Sequence, residues 1–151
     1  ADDDFSLNDS STLSSGLDSM FSVIGALGTV IGGFSILVGG FGIANIMFVS
    51  VRERTGQIGI QKALGATKYF VLSQFLFESI MLSLVGGVAG ILLVALLMWL
   101  GSMATGFALV LSTANVITGL LISVAIGIIA GIAPAIVAAN MEPVDAIRFN
   151  Q

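Results

Sequence analysis

Hydrophobic positions fall into three long runs along this chain, at residues 21–51, 70–100 and 116–139. Each is longer than the roughly 20 apolar residues that carry a helix across a bilayer, so each predicts a transmembrane helix. A charged interruption, VRERTGQIGIQKALGATKYF at 51–70, separates the first two. Within it Ile58, Ile60, Ala63 and Leu64 recur at helical spacing, while Gly56, Gly59 and Gly65 punctuate the pattern. The reading is a short helix lying along the membrane over 52–68, divided into pieces by its glycines and ended at Gly65.

Residues 1–20 are polar and rich in Asp and Ser. Leu13 and Leu17 stand out there, and Met20, Ile24, Leu27 and Ile31 continue their four-three spacing, a heptad register. Past Met20 nearly every position is apolar, so only Leu13 and Leu17 inform. They predict an amphipathic stalk that runs into the first span and packs on another helix; the bland alternative is a frayed tail with two isolated leucines. The uncharged stretch 101–115 reads as a loop, its segment FALVL at 107–111 placed in the headgroup region. Ser112, Thr113 and Asn115 are candidate caps for the next helix. Pro134 is expected to bend the third span. The tail 140–151 restarts as a short amphipathic turn with Pro143 at its first position and Val144, Ile147 and Phe149 on its apolar side.

Composition turns these runs into a class. The chain is 56% hydrophobic and 9% charged, against about 25% charged residues in soluble domains. So little charge cannot cover a water-facing surface, which makes this an all-α integral membrane protein. Four of the five basic residues, Arg52, Arg54, Lys62 and Lys68, lie in the connector, and Arg148 lies in the tail. Positive loops stay in the cytoplasm, so the connector and the C-terminus are placed inside, with the N-terminus and the 101–115 loop outside. Nothing before the first span would translocate an acidic N-terminus, so an upstream span is expected. Cysteine and histidine are both absent. That leaves no thiolate chemistry and removes the commonest general base. No phosphate-binding GxxxxGK[ST] loop occurs either, so a nucleotide site would have to lie elsewhere. The spans hold few polar groups with which to line a conduit.

Small residues mark candidate helix contacts, because helices in lipid associate through close packing. Gly28 and Gly32 form one pair, Gly86 and Gly90 another, and Gly119, Ser123, Gly127 and Gly131 a stripe at a strict spacing of four. Packing within one bundle and contact with a second copy explain the first pair equally well. Glu78 is the only charge in the second run. Its position near the inner end favours an ion pair with Lys or Arg of the connector over a proton relay.

The segment VRERTGQIGIQKALGATKYFVLSQFLFESIMLSLVGGVAGI, together with the ending PAIVAANMEPVDAIR, resembles FtsX-like, MacB-type ABC transporter permeases over residues 21–149. The resemblance implies the last three of four transmembrane helices, the first extended outward as a stalk. It implies that the connector is a coupling helix seated on an ATP-binding subunit, with Glu53, Arg54, Ile58, Gly59, Lys62, Leu64 and Gly65 at the contact. Gln57 and Gln61 stand where the family commonly has charge, and Asn140 where it commonly has Arg. It further implies a bacterial cytoplasmic-membrane protein, a second permease copy, an extracytoplasmic adaptor, and ATP and Mg held by the partner, with no cofactor, metal or catalytic residue in this chain. Surrounding lipid is the other partner, and no nucleic acid is expected. Two functions share this layout: export of drugs, peptides or lipoproteins driven by mechanotransmission, and a signalling permease that regulates a cell-wall hydrolase or sensor.

Overall fold

A computed structural model describes residues 2–106 and 110–143, with side chains described over 11–104, 106 and 110–143. The described residues form four helices in the order α1 (Asp2–Glu53), α2 (Thr55–Ala63), α3 (Lys68–Thr105) and α4 (Thr113–Asn140). α1, α3 and α4 are each long and apolar enough to cross a membrane. The protein is therefore an all-α membrane protein.

The chain divides into two units at Val38 and Gly39. The first is the N-terminal part of α1. Its described side chains are exposed almost throughout, Leu13 and Leu17 among them, and a Cβ added at Gly28 or Gly32 would meet no atom.

The second unit is organised by α3 against α4. Val71, Phe75, Ser79 and Ser83 on α3 are buried, and Gly87 continues their spacing of four. The facing row on α4 is Gly119, Ser123, Gly127, Gly131, Ala135 and Ala139. Side chains four apart share one face of a helix, so the rows are two ridges laid together. Glycine is required where they touch. A Cβ on Gly127 would lie 2.8 Å from the Ile80 Cα and 3.0 Å from the Ser79 carbonyl oxygen. On Gly131 it would lie 2.0 Å from Ser79 Oγ, and on Gly87 2.1 Å from Ser123 Oγ. At Gly119 it would make only an ordinary contact, 3.6 Å from Ile91 Cδ1. The close approach on α3 is thus at Gly87; Gly86 and Gly90, the pair picked from the sequence, face open space.

Hydroxyls cross the same seam. Ser79 Oγ lies 2.9 Å from the Gly127 carbonyl oxygen and 2.8 Å from that of Leu76, sharing its proton between them. Ser83 Oγ donates across the seam to the Ser123 carbonyl, whereas Ser123 Oγ donates within α4, to the Gly119 carbonyl at 2.9 Å. Such interhelical bonds contribute about 0.6 to 2 kcal/mol each in lipid.

The ends of the helices follow local chemistry. Thr67 Oγ1 accepts from the Phe70 N–H at 3.2 Å and starts α3, which Gly106 ends at φ +72°. Ser112 precedes α4 in extended geometry without a side-chain cap. α4 runs on through Pro134, whose side chain is fully buried, to Asn140. Part of the 107–111 segment and the tail positions Val144, Ile147, Arg148 and Phe149 lie outside the described residues.

Gly127→Ala should therefore separate α3 from α4 and cost about 1–3 kcal/mol, because backbone rather than a movable side chain blocks the methyl. Gly86→Ala should be neutral or stabilise by up to about 1 kcal/mol, the helix-propensity difference. Thermal unfolding of the two variants in the same detergent checks the contrast; equal losses would show that the seam does not run through Gly127.

Candidate functional site: the connector helix and the core beneath it

The connector is built by three local devices. Arg54 leaves helical geometry at φ −97°, ψ 11° and separates α1 from α2. The Thr55 hydroxyl lies 2.8 Å from the Arg52 carbonyl and 3.1 Å from that of Val51, occupying the last carbonyls of α1. At the other end Gly65 adopts φ +101°. Its N–H reaches the Lys62 carbonyl at 3.0 Å, and the Ala66 N–H reaches the Gln61 carbonyl at 2.9 Å. This is a Schellman ending, and it needs a residue free to take positive φ. Gly56 and Gly59 do not divide the helix as expected; α2 is continuous from Thr55 to Ala63, because tertiary packing holds it.

That packing is the apolar core of the second unit. Met47 and Val51 from α1, Ile58 from α2, Val71 and Phe75 from α3, and Ala135 and Ala138 from α4 are buried together. Ile43, Leu72 and Met141 pack around them. All four helices meet under the connector, so α2 rests on the bundle through one face.

The seven connector residues singled out in the sequence therefore separate. Ile58 is 2% exposed and Gly59 is buried, so both face inward and lie out of reach of a separate protein in this conformation. Glu53, Arg54, Leu64 and Gly65 are exposed, Leu64 at 84%. Ile60, which was not singled out, is exposed at 58%. The two large aliphatic side chains on the outer surface of α2 are thus Ile60 and Leu64, four residues apart. That spacing was readable in the sequence; what the sequence did not reveal is which of the connector's isoleucines points outward.

Lys62 is half-buried and faces the bundle. Its ammonium donates to the carbonyls of Ala139 and Met141. Burial lowers its pKa from the ordinary lysine value, repulsion from Lys68 acts the same way, and Glu142 opposes both. The carbonyls at the helix end also favour the charged form.

Glu78 Oε2 lies 3.3 Å from Arg54 Nη1, joining α3 to the start of the connector. Both side chains are more than a third exposed, and pairs of that kind contribute about 0–1 kcal/mol. Gln74, one turn earlier on α3, keeps Oε1 buried without a hydrogen-bond partner. Clefts of about 310 and 350 Å³ flank the C-terminal end of α1, with Glu78 and Ser50 in one wall and Asn45 and Glu53 in the other. Both are open and largely apolar.

α2 is thus a short helix held between membrane-length helices, one face in their core and the other exposed. Residues 29–143 match the FtsX-like permease C-terminal family. The chain belongs to that family. It is 45% identical over 108 residues to a Bacillus subtilis protein described as the uncharacterized ABC transporter permease YknZ, covering 72% of this chain and 27% of that one. It is 41% identical over 107 residues to the macrolide export ATP-binding/permease protein MacB of Mannheimia succiniciproducens, covering 70% and 17%. The match to MacB of Bdellovibrio bacteriovorus is 44% over 108 residues, covering 72% and 17%. The chain thus spans little more than a quarter, or less, of the curated relatives it matches.

Ile58→Ala should cost about 2–5 kcal/mol of stability, the usual range for truncating a buried aliphatic side chain. Leu64→Ala should leave stability within about 0.5 kcal/mol, as at exposed positions. Unfolding midpoints of the two variants decide the matter; a Leu64 loss equal to that of Ile58 would contradict the exposed placement of Leu64.

Proposed function

We propose that this chain is the C-terminal membrane part of an ABC transporter permease, and that α2 is the helix through which a cytoplasmic ATPase drives it. The observation that carries this is the two-sided construction of α2. Its inner face belongs to the core shared by all four helices, and its outer surface presents Ile60 and Leu64 with Glu53, Arg54 and Gly65. A helix built this way transfers a push on its outer surface to the bundle through the core they share. Ile58 and Gly59 then serve the inner face, and the docking surface is Glu53, Arg54, Ile60, Leu64 and Gly65.

The positive connector lies on the cytoplasmic side by the distribution of basic residues. ATP and Mg are held by the partner ATPase. The energy of hydrolysis is delivered as movement, which α1 carries towards an extracytoplasmic part of the protein. The exposed apolar surface of α1, with Gly28 and Gly32 open along it, suits lipid and a second permease copy. Work of this kind serves export of drugs, peptides or lipoproteins through an extracytoplasmic adaptor.

Leu64→Asp places a charge in the middle of the docking surface without touching the core. In the full-length permease it should release the ATPase subunit or abolish the permease's effect on ATP hydrolysis, while the permease itself still folds. Co-purification and ATPase assays in nanodiscs read both quantities. Retention of the ATPase with unchanged hydrolysis would rule out α2 as the docking element.

A further inference from the structure

Lys62 has a geometry that docking does not use. It leaves the last turn of α2, and its ammonium reaches the Ala139 and Met141 carbonyls, the latter at 2.5 Å. Those carbonyls lie 77 and 79 residues further along the chain, at the inner end of α4. The last carbonyls of a helix have no intrahelical partner, and they carry the negative end of the helix dipole. α4 has no glycine ending of its own: Met141 is extended at φ −60°, ψ 134°, and its N–H makes only a long contact, 3.4 Å, with the Ala138 carbonyl. The cap of α4 is therefore supplied by α2. An ammonium has three donors, so it can hold both carbonyls at once. Ile58, one turn earlier on α2, lies in the same core as Ala135 and Ala138 of α4.

The covalent joints of α2 are different in kind. Towards α1 it turns at Arg54, and towards α3 at the positive-φ Gly65, both short turns outside helical geometry. Short turns of this kind are where a chain absorbs rotation. Between α2 and α4 there is no chain at all except the whole length of α3.

We infer that Lys62 is a positioning residue that latches α2 to the inner end of α4, so that movement imposed on α2 passes to α4 directly. The inference rests on the reading of α2 as the element that receives force. It adds the route by which that force enters the α3–α4 pair. α4 carries the Gly127 and Gly131 close approach, so a displacement of its inner end is borne by the seam with α3.

The test uses the full-length permease in nanodiscs, alone and with its ATPase. Spin labels are attached at Gln57→Cys on α2 and Asn140→Cys at the end of α4, both exposed positions in a stretch that contains no cysteine. The interlabel distance should be a single narrow peak, unchanged between the nucleotide-free and ATP–vanadate states. Lys62→Met keeps the apolar stem and removes the donors, and it should lose that single peak in both states. Lys62→Arg restores donors and should recover it, which a merely space-filling role for Lys62 would not produce. Lys62→Gln, with a shorter donor arm, should lie between and serves if the Met variant fails to assemble. A Lys62→Met or Lys62→Gln distribution as narrow as wild type would overturn the latch, as would failure of Lys62→Arg to narrow it. Because the distance is read without the ATPase as well, this result stands apart from the docking test, where Leu64→Asp is read by release of the ATPase.

Discussion

The close approach of α3 and α4 is the contact on which the rest of the second unit depends. In lipid there is little hydrophobic gain from bringing two apolar helices together, because the tails are as apolar as the side chains. What remains is dispersion at short range and hydrogen bonds that cross the seam. Both need the backbones near one another, and a Cβ at Gly127, Gly131 or Gly87 would hold them apart. Ser79 and Ser83 reach carbonyls of the opposite helix only because that spacing is short. Towards the connector, Val71 and Phe75 of α3 and Ala135 and Ala138 of α4 join the core that receives Ile58.

The connector inherits its position from that core. α2 has nine residues, too few to be stable on propensity alone, and two of them are glycines. Its helix persists because Ile58 is buried, Gly65 closes the C-terminal turn, and Lys62 is engaged with α4. Packing of one face, more than helix propensity, keeps so short a helix formed. The Arg54–Glu78 pair adds alignment at the entry to the connector more than stability, since both partners are accessible to solvent.

The stretches that link this chain to the FtsX-like permeases take on separate physical roles in the structure. In QFLFE, Phe75 is core, Glu78 pairs with Arg54, and Gln74 keeps a buried oxygen without a partner. In LSLVGG, Ser83 bonds across the seam and Gly87 makes room for Ser123. In PAIVAA, Pro134, Ala135, Ala138 and Ala139 are the small buried surface of α4. In ALGA, Leu64 projects outward and Gly65 provides the turn. The motifs describe mainly how the bundle closes on itself, while Leu64 and Gly65 lie exposed beside it.

Hydrophobic length and period are local properties, and the sequence alone determined what depends on them. Three helices of membrane length, a short charged helix ending at Gly65, and the small-residue stripe from Gly119 to Gly131 were all legible there. Which side of each helix faces inward is not local. It depends on the rotation of one helix against its neighbour, and a run apolar all round carries no sign of that rotation. Hence the choice of Gly86 and Gly90 where the contact is at Gly87, although Ser79, Ser83 and Gly87 share the stripe's own spacing. The resemblance likewise implies a contact at Ile58 and Lys62 without saying which way their side chains point. Only the tertiary structure decided that Ile58 lies under α2 and that Lys62 crosses to the end of α4, because both facts require α4 to be in place beside the connector.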